Sequence, residues 1–473
     1  MHFKSALWIT LTGLFLGLCR SNPVWADVLR VSDNHRFLVH SDGSPFFYLA
    51  DTAWELFHRA TREEAELYLK TRARQGFTVI QAVALSELQG TTIANAYGNF
   101  PLEGGRIDKP LLLPGKNDDY WDMVDFVIER ANRLGLYVGL LPSWGSYWHD
   151  NGCLNAGNAR QYAHFLADRY KDADIVWILG GDRAIENEQQ KNVMRELAAG
   201  LREGGSRQPI TFHPCGANGS SRWLHGESWL DFNMRQNGHT DIYTGRYSET
   251  LTDYRREPAK PVIDGESTYE DHPIDFNAQR FGHSTATDVR HALYWDLFNG
   301  ACGHTYGHHS VWQWFNGGGN PVNMPLLTWR EALTRPGAEQ MQHARRLLES
   351  RPYLTRIPCP ELIKADRFPT NVPGEGRHRF TATADSNGSY AMVYVPVARP
   401  FTLDMKRLKG SRIRVWWFNP RTGKASRSEV FENNAESRRF TPPDTNNGND
   451  WVLVLDDAAC HYPAPGKRIF RKS

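Results

Sequence analysis

Val176-Trp177-Ile178-Leu179-Gly180-Gly181-Asp182 and Pro261-Val262-Ile263-Asp264-Gly265-Glu266 are two apolar stretches built in the same way. Each is a run typical of a buried strand that meets glycine and then ends in a carboxylate. In a parallel β/α barrel the carboxyl ends of the strands form the floor of the active site. An acid at that position is therefore more often catalytic than structural. The two stretches predict two barrel strands, each of which presents an acid.

The pattern of these two stretches continues along most of the chain. From residue 46 onward, apolar strand-like runs alternate with amphipathic helical stretches, which predicts βα units around a parallel sheet. Eight strands are the number that a barrel needs, so we predict an α/β fold, a (β/α)8 TIM barrel. The strand candidates are 46–50, 78–85, 137–142, 175–179, 210–213, 232–235, 261–264 and 302–306, and the helical candidates include 62–75, 121–134, 159–170, 189–203 and 288–298. Thr61 and Thr287 are suitable N-caps, and residues 86–118 form a long loop suited to the wall of a cleft.

The pattern changes near residue 335. A closing helix over 340–351 and a linker over 351–360 end the barrel domain, which we place at 27–350. Beyond the linker, half-buried strands with period-two alternation are separated by turns rich in Asn and Gly. This pattern predicts a small all-β antiparallel sandwich over 361–473.

The N-terminus predicts an exported protein. Lys4 precedes an apolar run over 6–19, and Ala26 offers a cleavage site, so residues 1–26 are typical of a signal peptide too short to span a bilayer. Leu18 is too large for the position before the cysteine of a lipoprotein box, so a periplasmic or secreted protein is favoured over a lipoprotein. Removal of the signal leaves five cysteines, of which Cys359 and Cys460 could bracket the C-terminal domain. The net charge of +2 favours neither nucleic acid nor an anionic membrane as partner.

The two acids suggest a specific chemistry. A pair of carboxyl groups on separate strands is the minimum for cleaving a glycosidic bond, since one protonates the leaving oxygen and the other attacks carbon or activates water. Asp182 would be the acid, with a pKa raised by burial or a nearby charge, and Glu266 the ionised nucleophile. The alternative is structural: Asp182 caps the next helix, and Glu266 pairs with an arginine such as Arg183 or Arg235.

Other side chains at predicted strand ends could bind an oligo- or polysaccharide. Tryptophans suit the apolar faces of sugars, and polar groups suit the hydroxyls, although each of these residues could equally be core or a helix cap. The candidates are Asp51, Trp54, Trp144, His213, Gln236, Tyr306, Trp312 and Trp314. His304, His308 and His309 could suggest a metal, but they lack the helical HExxH spacing of a hydrolytic zinc site, so we favour a sugar-binding wall. The sequence has no GxGxxG, Walker or GxSxG motif, and no cofactor is expected.

Three motifs carry a resemblance to a known family. Residues 41–54, Trp177-Ile178-Leu179-Gly180-Gly181-Asp182 and Asp264-Gly265-Glu266-Ser267-Thr268-Tyr269-Glu270 resemble those of the apiosidase-like bacterial glycosidases, glycoside hydrolase family 140. The resemblance covers roughly residues 28–350, and the tail resembles the β-sandwich labelled collagen-binding that commonly follows. It implies a retaining mechanism with an Asp acid/base at Asp182 and a Glu nucleophile at Glu266. It also implies activity on apiose-containing side chains of the pectin rhamnogalacturonan II.

Two other classes of protein remain open at this point. One is a glycan-binding barrel without turnover, against which the presence of both acids counts. The other is a matrix-adhering protein, which rests only on the label of the tail. For the tail, we favour a structural sandwich that supports the barrel, and for the whole protein we expect a monomer.

Overall fold

The computed structural model of the chain describes residues 27–149, 152–240, 246–364, 375–444 and 449–467. The expected signal peptide lies outside these residues. None of the described helices is both long and apolar enough to cross a membrane. A short antiparallel sheet precedes the barrel and consists of β1 (Arg30–Val31), β2 (Leu38–Val39) and β3 (Pro45–Phe46).

The predicted barrel is confirmed. Among the described residues, nine strands form one sheet: β4 (Tyr48–Thr52), β5 (Val79–Val83), β6 (Tyr137–Leu141), β7 (Ile175–Gly180), β8 (Ile210–His213), β9 (Asn218–Gly219), β10 (Asn233–Gln236), β11 (Val262–Asp264) and β12 (Gly303–Tyr306). All are parallel to their neighbours except β9, which pairs antiparallel with β10. The first and last parallel strands of the sheet, β8 and β10, approach each other where the N–H of Asp231, just before β10, donates to the Ile210 carbonyl at 2.9 Å, so the barrel is nearly closed.

Helices cover the outside of the barrel or lie in its loops. They are α1 (Leu56–Arg59), α2 (Arg62–Arg74), α3 (Tyr120–Arg133), α4 (Ser146–His149), α5 (Ala159–Tyr170), α6 (Glu188–Glu203), α7 (Ser221–Leu224), α8 (Arg246–Tyr254), α9 (Ala278–Phe281), α10 (Ala286–Phe298), α11 (His309–Trp312), α12 (Trp329–Ala332) and α13 (Pro336–Leu348). Thr61 caps α2 as predicted, in a reciprocal capping box with Glu64. The cap of α10 is Thr285 rather than Thr287, because Thr285 forms a capping box with Asp288.

Helix α10 lies between the barrel and the C-terminal domain. Ten of its residues, from Val289 to Phe298, are buried. A helix that is buried on all sides needs partners on all sides. Its partners in the barrel domain are β12, α8 and α13, and its partners in the tail are the strands Thr381–Asp385 and Tyr390–Val395.

The tail is antiparallel β structure, as predicted. Its strands are β13 (Arg356–Pro358), β14 (Thr381–Asp385), β15 (Tyr390–Val395), β16 (Phe401–Asp404), β17 (Arg412–Asn419), β18 (Lys424–Ala425), β19 (Glu429–Glu432), β20 (Ser437–Phe440) and β21 (Trp451–Asp457). Seven of them form one sheet, while β16 and β20 pair separately and pack against it through Phe401 and Leu403. The segment we expected as a linker over 351–360 is partly ordered into this sheet, because β13 pairs with β14.

Two buried ion pairs join the tail to the barrel domain. Arg290 of α10 donates to both oxygens of Asp450 at 2.7 and 2.9 Å, and Arg351 donates to both oxygens of Asp456 at 2.7 Å. Bidentate pairs of this kind fix orientation as well as distance. The two cysteines considered as a bracketing pair, Cys359 and Cys460, are both free, because Cys359 is buried in the sandwich core whereas Cys460 is exposed.

Candidate active site

Asp182 lies two residues beyond the end of β7, in a tight turn of the backbone. Asp182 has φ 51°, and the two glycines before it also have positive φ. A Cβ at Gly180 would lie 2.5 Å from the His213 carbonyl oxygen, so a side chain does not fit there. A non-glycine residue held in the left-handed region is uncommon and concentrates at functional sites. The turn leaves the Asp182 side chain 35% exposed at the barrel mouth.

Glu266 follows β11 and is held much more tightly. The Gly265 carbonyl accepts a hydrogen bond from Gln81 Nε2 inside the barrel at 2.8 Å, and Gly265 N–H donates to the Arg235 carbonyl at 2.8 Å. A side chain at Gly265 would collide with the Met234 sulfur, so this turn also requires glycine. The Glu266 residue is 6% exposed.

His213, at the end of β8, lies between the two acids. The Asp182 backbone N–H donates to His213 Nδ1 at 3.2 Å, and His213 Nε2 lies 3.1 Å from Glu266 Oε2. Because Nδ1 accepts a hydrogen bond, the ring proton of the neutral imidazole is on Nε2, which faces the carboxylate. The strand end predicted as a sugar-binding position thus connects the backbone of one acid to the carboxylate of the other.

His239 is a second histidine on Glu266, and the sequence analysis missed it. Its Nε2 lies 3.2 Å from Glu266 Oε1. The ring stacks on His272 with centroids 4.0 Å apart. His239 belongs to the loop after β10, three residues beyond the strand. In a loop, the direction of a side chain cannot be predicted from the hydrophobic period of the sequence. The available signal was its closeness in sequence to Gln236, which we had predicted as a sugar-binding residue at the end of that strand.

The pKa values of the two acids are displaced in opposite directions. Burial alone would raise the pKa of Glu266, but the ring nitrogens of His213 and His239 outweigh it and lower the pKa to about 2. Burial raises the pKa of Asp182, and the negative charge of Glu266 raises it further. Two carboxyl groups whose environments push their pKa values apart are suited to separate roles, one as an ionised carboxylate and one as a proton donor.

Two of the predicted tryptophans line this site. The Trp54 ring lies 5.4 Å from the ring of Trp144 and 5.4 Å from that of His213, which it meets edge-on. Trp54 Nε1 donates to the Tyr269 hydroxyl at 3.1 Å. Trp144 Nε1, in contrast, is buried without a hydrogen-bond partner among the described residues. An unpaired buried donor in a concave site is available to a ligand hydroxyl.

Gln236 also contacts Asp182. A hydrogen bond from its side chain to Asp182 partly offsets the raised pKa of that carboxyl. Its Oε1 is buried and has no partner among the described residues. The structure therefore brings Trp54, Trp144, His213 and Gln236 together with Asp182 and Glu266.

Asp51 and Tyr306 are not brought to the acids. Asp51 Oδ2 is fully buried and accepts hydrogen bonds from Arg72 Nε at 2.7 Å and from the Tyr68 hydroxyl at 2.5 Å. The Tyr306 hydroxyl donates to Glu270 Oε2 at 2.7 Å. The two residues are register partners on β4 and β12, and side chains alternate between the faces of a strand. Both point outward to the helical layer, so we leave them out of the sugar wall.

Trp314 and Trp312 lie farther around the rim. Trp314 stacks on Trp329 at 4.3 Å and donates to Glu64 at 3.2 Å, which makes it largely a packing residue between helices. Trp312 is 7% exposed, and its carbonyl accepts from the Glu55 backbone N–H. Neither has a described contact with Asp182 or Glu266.

A third acid, Glu87, belongs to the site and was not predicted. Burial raises the pKa of Glu87, and the negative charges of Asp182, Glu55 and Glu266 raise it further, to about 8. Its side chain has no hydrogen-bond partner among the described residues. The signal was present in the sequence, since Glu87 lies two residues beyond the predicted strand 78–85, and Asp182 and Glu266 likewise lie two or three residues beyond theirs.

A polar cluster beneath Glu266 could hold a cation by distance alone. Within the described part of the chain, the ligand atoms of Asp264, Asp296 and His304 lie within 4.8 Å of one another. The Asn237 side-chain amide donates to Asp264 at 2.9 Å and to Asp296 at 3.1 Å, so hydrogen bonds already fill the space between the carboxyl groups. Glu266 N–H donates to Asp264 Oδ1 at 3.3 Å. The cluster therefore supports the turn that carries Glu266.

Comparison with known proteins adds the family context. Residues 32–355 match the family model described as "Apiosidase-like, catalytic domain", and residues 357–456 match "Putative collagen-binding domain of a collagenase". Among curated proteins no match is found.

Two solved structures span both domains. One, titled "Glycoside hydrolase", is 31% identical with a TM-score of 0.84, and the match covers 91% of this chain and 97% of the other. A second, titled as a glycoside hydrolase family 5 structure from Bacteroides vulgatus ATCC 8482, is 30% identical with a TM-score of 0.85. That match covers 93% of this chain and 95% of the other.

Proposed function

Because the chain belongs to the apiosidase-like family of glycoside hydrolases, we propose that it is a secreted retaining enzyme that acts on plant cell-wall pectic glycans. The proposed substrates are apiose-containing side chains of rhamnogalacturonan II, which the resemblance of the sequence motifs implies. One observation carries the catalytic assignment. It is the opposite displacement of the pKa values of Asp182 and Glu266, two acids that His213 connects.

In the first step, Glu266 attacks the anomeric carbon while Asp182 gives its proton to the departing glycosidic oxygen. The product of this step is a covalent glycosyl-enzyme on Glu266. The low pKa of Glu266 keeps the nucleophile ionised, and burial together with the charge of Glu266 raises the pKa of Asp182, which favours its role as the proton donor. A retaining enzyme requires the two carboxyl groups to be about 5 to 5.5 Å apart.

In the second step, Asp182 has lost its proton and acts as the base. It takes a proton from water, which attacks the same anomeric carbon and releases Glu266. His213 and His239 stabilise the carboxylate that leaves, because their ring nitrogens face its two oxygens. Trp144 Nε1 and Gln236 Oε1 would bind hydroxyls of the sugar ring in both steps, since both atoms are buried and unpaired.

The C-terminal domain is proposed to support the barrel rather than to bind collagen. Its contact with the barrel domain includes the two buried bidentate ion pairs at Arg290 and Arg351, and the Tyr294 and Tyr394 rings stack with centroids 4.5 Å apart. Such a contact suits a permanent intramolecular interface. Removal of the domain would then reduce the yield of folded protein more than the turnover per folded molecule.

The test is hydrolysis of a panel of pectic oligosaccharides and aryl glycosides that includes apiosides, with product analysis. We expect release of apiose or of an apiose-capped fragment by the wild type and loss of release by Glu266→Gln. Binding of the panel without any product would instead favour the glycan-binding class. Adhesion to collagen without either property would favour the matrix-adhering class.

A further inference from the structure

The two domains of the chain have opposite net charges. Residues 27–360 contain 34 Lys and Arg but 41 Asp and Glu, a formal net charge of −7. Residues 361–473 contain 19 Lys and Arg but 12 Asp and Glu, a formal net charge of +7. A polyanion is repelled by a domain of the first kind and attracted by a domain of the second kind. The tail is therefore the part of the chain to which an anionic partner is drawn.

A cavity of about 310 Å³ opens on the surface of the tail. Its walls come from β17, from β19 and from the segment that follows β21. The described residues of the candidate active site all belong to the barrel domain. The cavity is therefore a separate site, and its lining has to be explained without reference to Asp182 and Glu266.

Two arginines line this cavity side by side. Arg412 and Arg414 are two residues apart on β17, so their side chains leave the same face of the strand. Arg412 Nε lies 3.4 Å from Glu432 Oε1, in a pair whose side chains are 61% and 68% exposed. An exposed ion pair contributes little energy, so an anionic ligand can replace Glu432 as the partner of Arg412.

Arg414 has no hydrogen bond and no ion pair among the described residues, and its Nε is buried. The carboxylate opposite Arg414 in the sheet is that of Asp456 on β21. Both oxygens of Asp456 already accept hydrogen bonds from Arg351 at 2.7 Å, and Oδ2 also accepts from Trp416 Nε1 at 3.1 Å. A buried donor without a partner costs free energy, which a ligand oxygen in the cavity would recover.

The rest of the lining suits a sugar ring that bears a carboxylate. Val430, opposite Arg414 on β19, is 40% exposed and supplies apolar surface next to the guanidinium. Asp457 lines the cavity too, but its Oδ1 accepts from Ala459 N–H at 3.0 Å and so fixes the turn after β21. The planar fork of an arginine can donate two parallel hydrogen bonds to a carboxylate. Two such forks beside an apolar surface match the carboxylates and the ring faces of an acidic saccharide.

We infer that the tail surface formed by Arg412, Arg414 and Val430 binds an acidic polysaccharide chain through the carboxylates of its sugar residues. The inference rests on the proposed function and extends it by giving the tail a partner, the polymer on which the substrate is found. The tail holds this polymer near a barrel whose own net charge would repel it. The surface raises the local concentration of the polymer and takes no part in bond cleavage.

Two double variants separate this site from the net charge of the tail. Arg412→Gln together with Arg414→Gln removes both guanidinium groups from the cavity. Arg438→Gln together with Arg439→Gln removes the same charge from β20, where both side chains are exposed and neither lines the cavity. None of the four arginines belongs to the buried ion pairs that join the tail to the barrel domain, so both double variants should fold.

The experiment is calorimetric titration of the full chain carrying Glu266→Gln, with polygalacturonate and its fully methyl-esterified form as probes. We expect the ester to bind about fivefold more weakly than the acid, or weaker still, because it lacks the carboxylates that pair with the arginines. The double variant at Arg412 and Arg414 should weaken binding of the acid by about fivefold or more, and the control at Arg438 and Arg439 by no more than about twofold. Added salt should weaken binding of the acid more than that of the ester.

Four results would overturn the inference. They are no binding of polygalacturonate, equal binding of acid and ester, equal effects of the two double variants, and binding of phosphatidylglycerol vesicles without binding of polygalacturonate, which would assign the surface to a membrane. The titration measures binding by a chain that cannot turn over, so it is independent of hydrolysis. A chain that binds the polymer as expected while the wild type hydrolyses no member of the panel would refute the proposed function alone. A wild type that hydrolyses the panel while the two double variants bind the polymer equally would refute this inference alone.

Discussion

His239→Phe tests whether the histidines set the charge of Glu266. The substitution removes the nitrogen that lies 3.2 Å from Glu266 Oε1 and keeps an aromatic ring to stack on His272. A hydrogen bond to a charged group contributes about 1.5–3 kcal/mol, which corresponds to about one to two pKa units. The pKa of Glu266, which is about 2 in the wild type, should therefore rise to roughly 3–4 in the variant.

The sign of this effect on stability follows from the direction of the shift. The pKa of Glu266 in the folded chain lies below its ordinary value of 4.5, so the carboxylate contributes stability above pH 4.5 that is lost as the pH falls toward 2. The whole contribution is about 3 kcal/mol in the wild type. His239→Phe should reduce it by about half, which urea denaturation at pH 6 would measure.

The assay is the pH dependence of kcat/KM on an aryl glycoside, whose acidic limb reports the nucleophile of the free enzyme. In the wild type this limb should lie below pH 3, and in His239→Phe it should lie between about pH 3 and 4. His272→Phe is the matched control, because His272 stacks on His239 and has no described contact with Glu266. An acidic limb that stays below pH 3 in His239→Phe would refute the reasoning.

Three further outcomes are expected. Glu87→Gln should be more stable to urea than the wild type above pH 4.5, by roughly 3 kcal/mol at pH 7. The reason is that burial and neighbouring acids raise the pKa of the wild-type Glu87 carboxyl to about 8, so the folded protein must keep this carboxyl protonated. A stability difference that does not grow between pH 4.5 and 8 would contradict this. Trp144→Phe removes a buried donor reserved for substrate and should lower kcat/KM about fivefold to tenfold with an unchanged circular dichroism spectrum, whereas unchanged kinetics would assign the nitrogen no ligand. Asp450→Asn leaves the buried Arg290 charge uncompensated and should cost about 3 kcal/mol in thermal or urea unfolding while kcat per folded molecule stays the same. A loss of kcat with normal stability would mean that the tail acts on the site directly.

The barrel could be predicted because its strands are buried runs of apolar residues, and such runs can be recognised in a sequence without knowing which residues pack against them. All eight predicted strands are present, with ends that differ by no more than two residues. The positions of Asp182 and Glu266 followed from the same pattern, since each acid lies two residues beyond the last residue of a strand. Trp54 and Trp144 are present at the site because they also follow strand ends.

The orientation of a side chain at a strand end was not predictable in the same way. Asp51 lies at the end of a strand, but its side chain points to the outside of the barrel, where Arg72 of α2 donates a hydrogen bond to its carboxylate. His239 lies on a loop, where no sequence period fixes the direction of the side chain. For α10, two threonines two residues apart could each cap the helix, and only the partner Asp288 selects Thr285.

The most direct test of the central claim is the configuration of the glycosyl azide that each acid variant forms with an aryl glycoside and sodium azide, read by nuclear magnetic resonance. For Asp182→Ala, azide should replace the base-assisted water, attack the glycosyl-enzyme and give a product of retained configuration. For Glu266→Ala, azide should occupy the place of the missing carboxylate, attack the substrate itself and give a product of inverted configuration. Rescue of neither variant, or the two configurations exchanged between them, would contradict the assignment of Asp182 as acid/base and Glu266 as nucleophile.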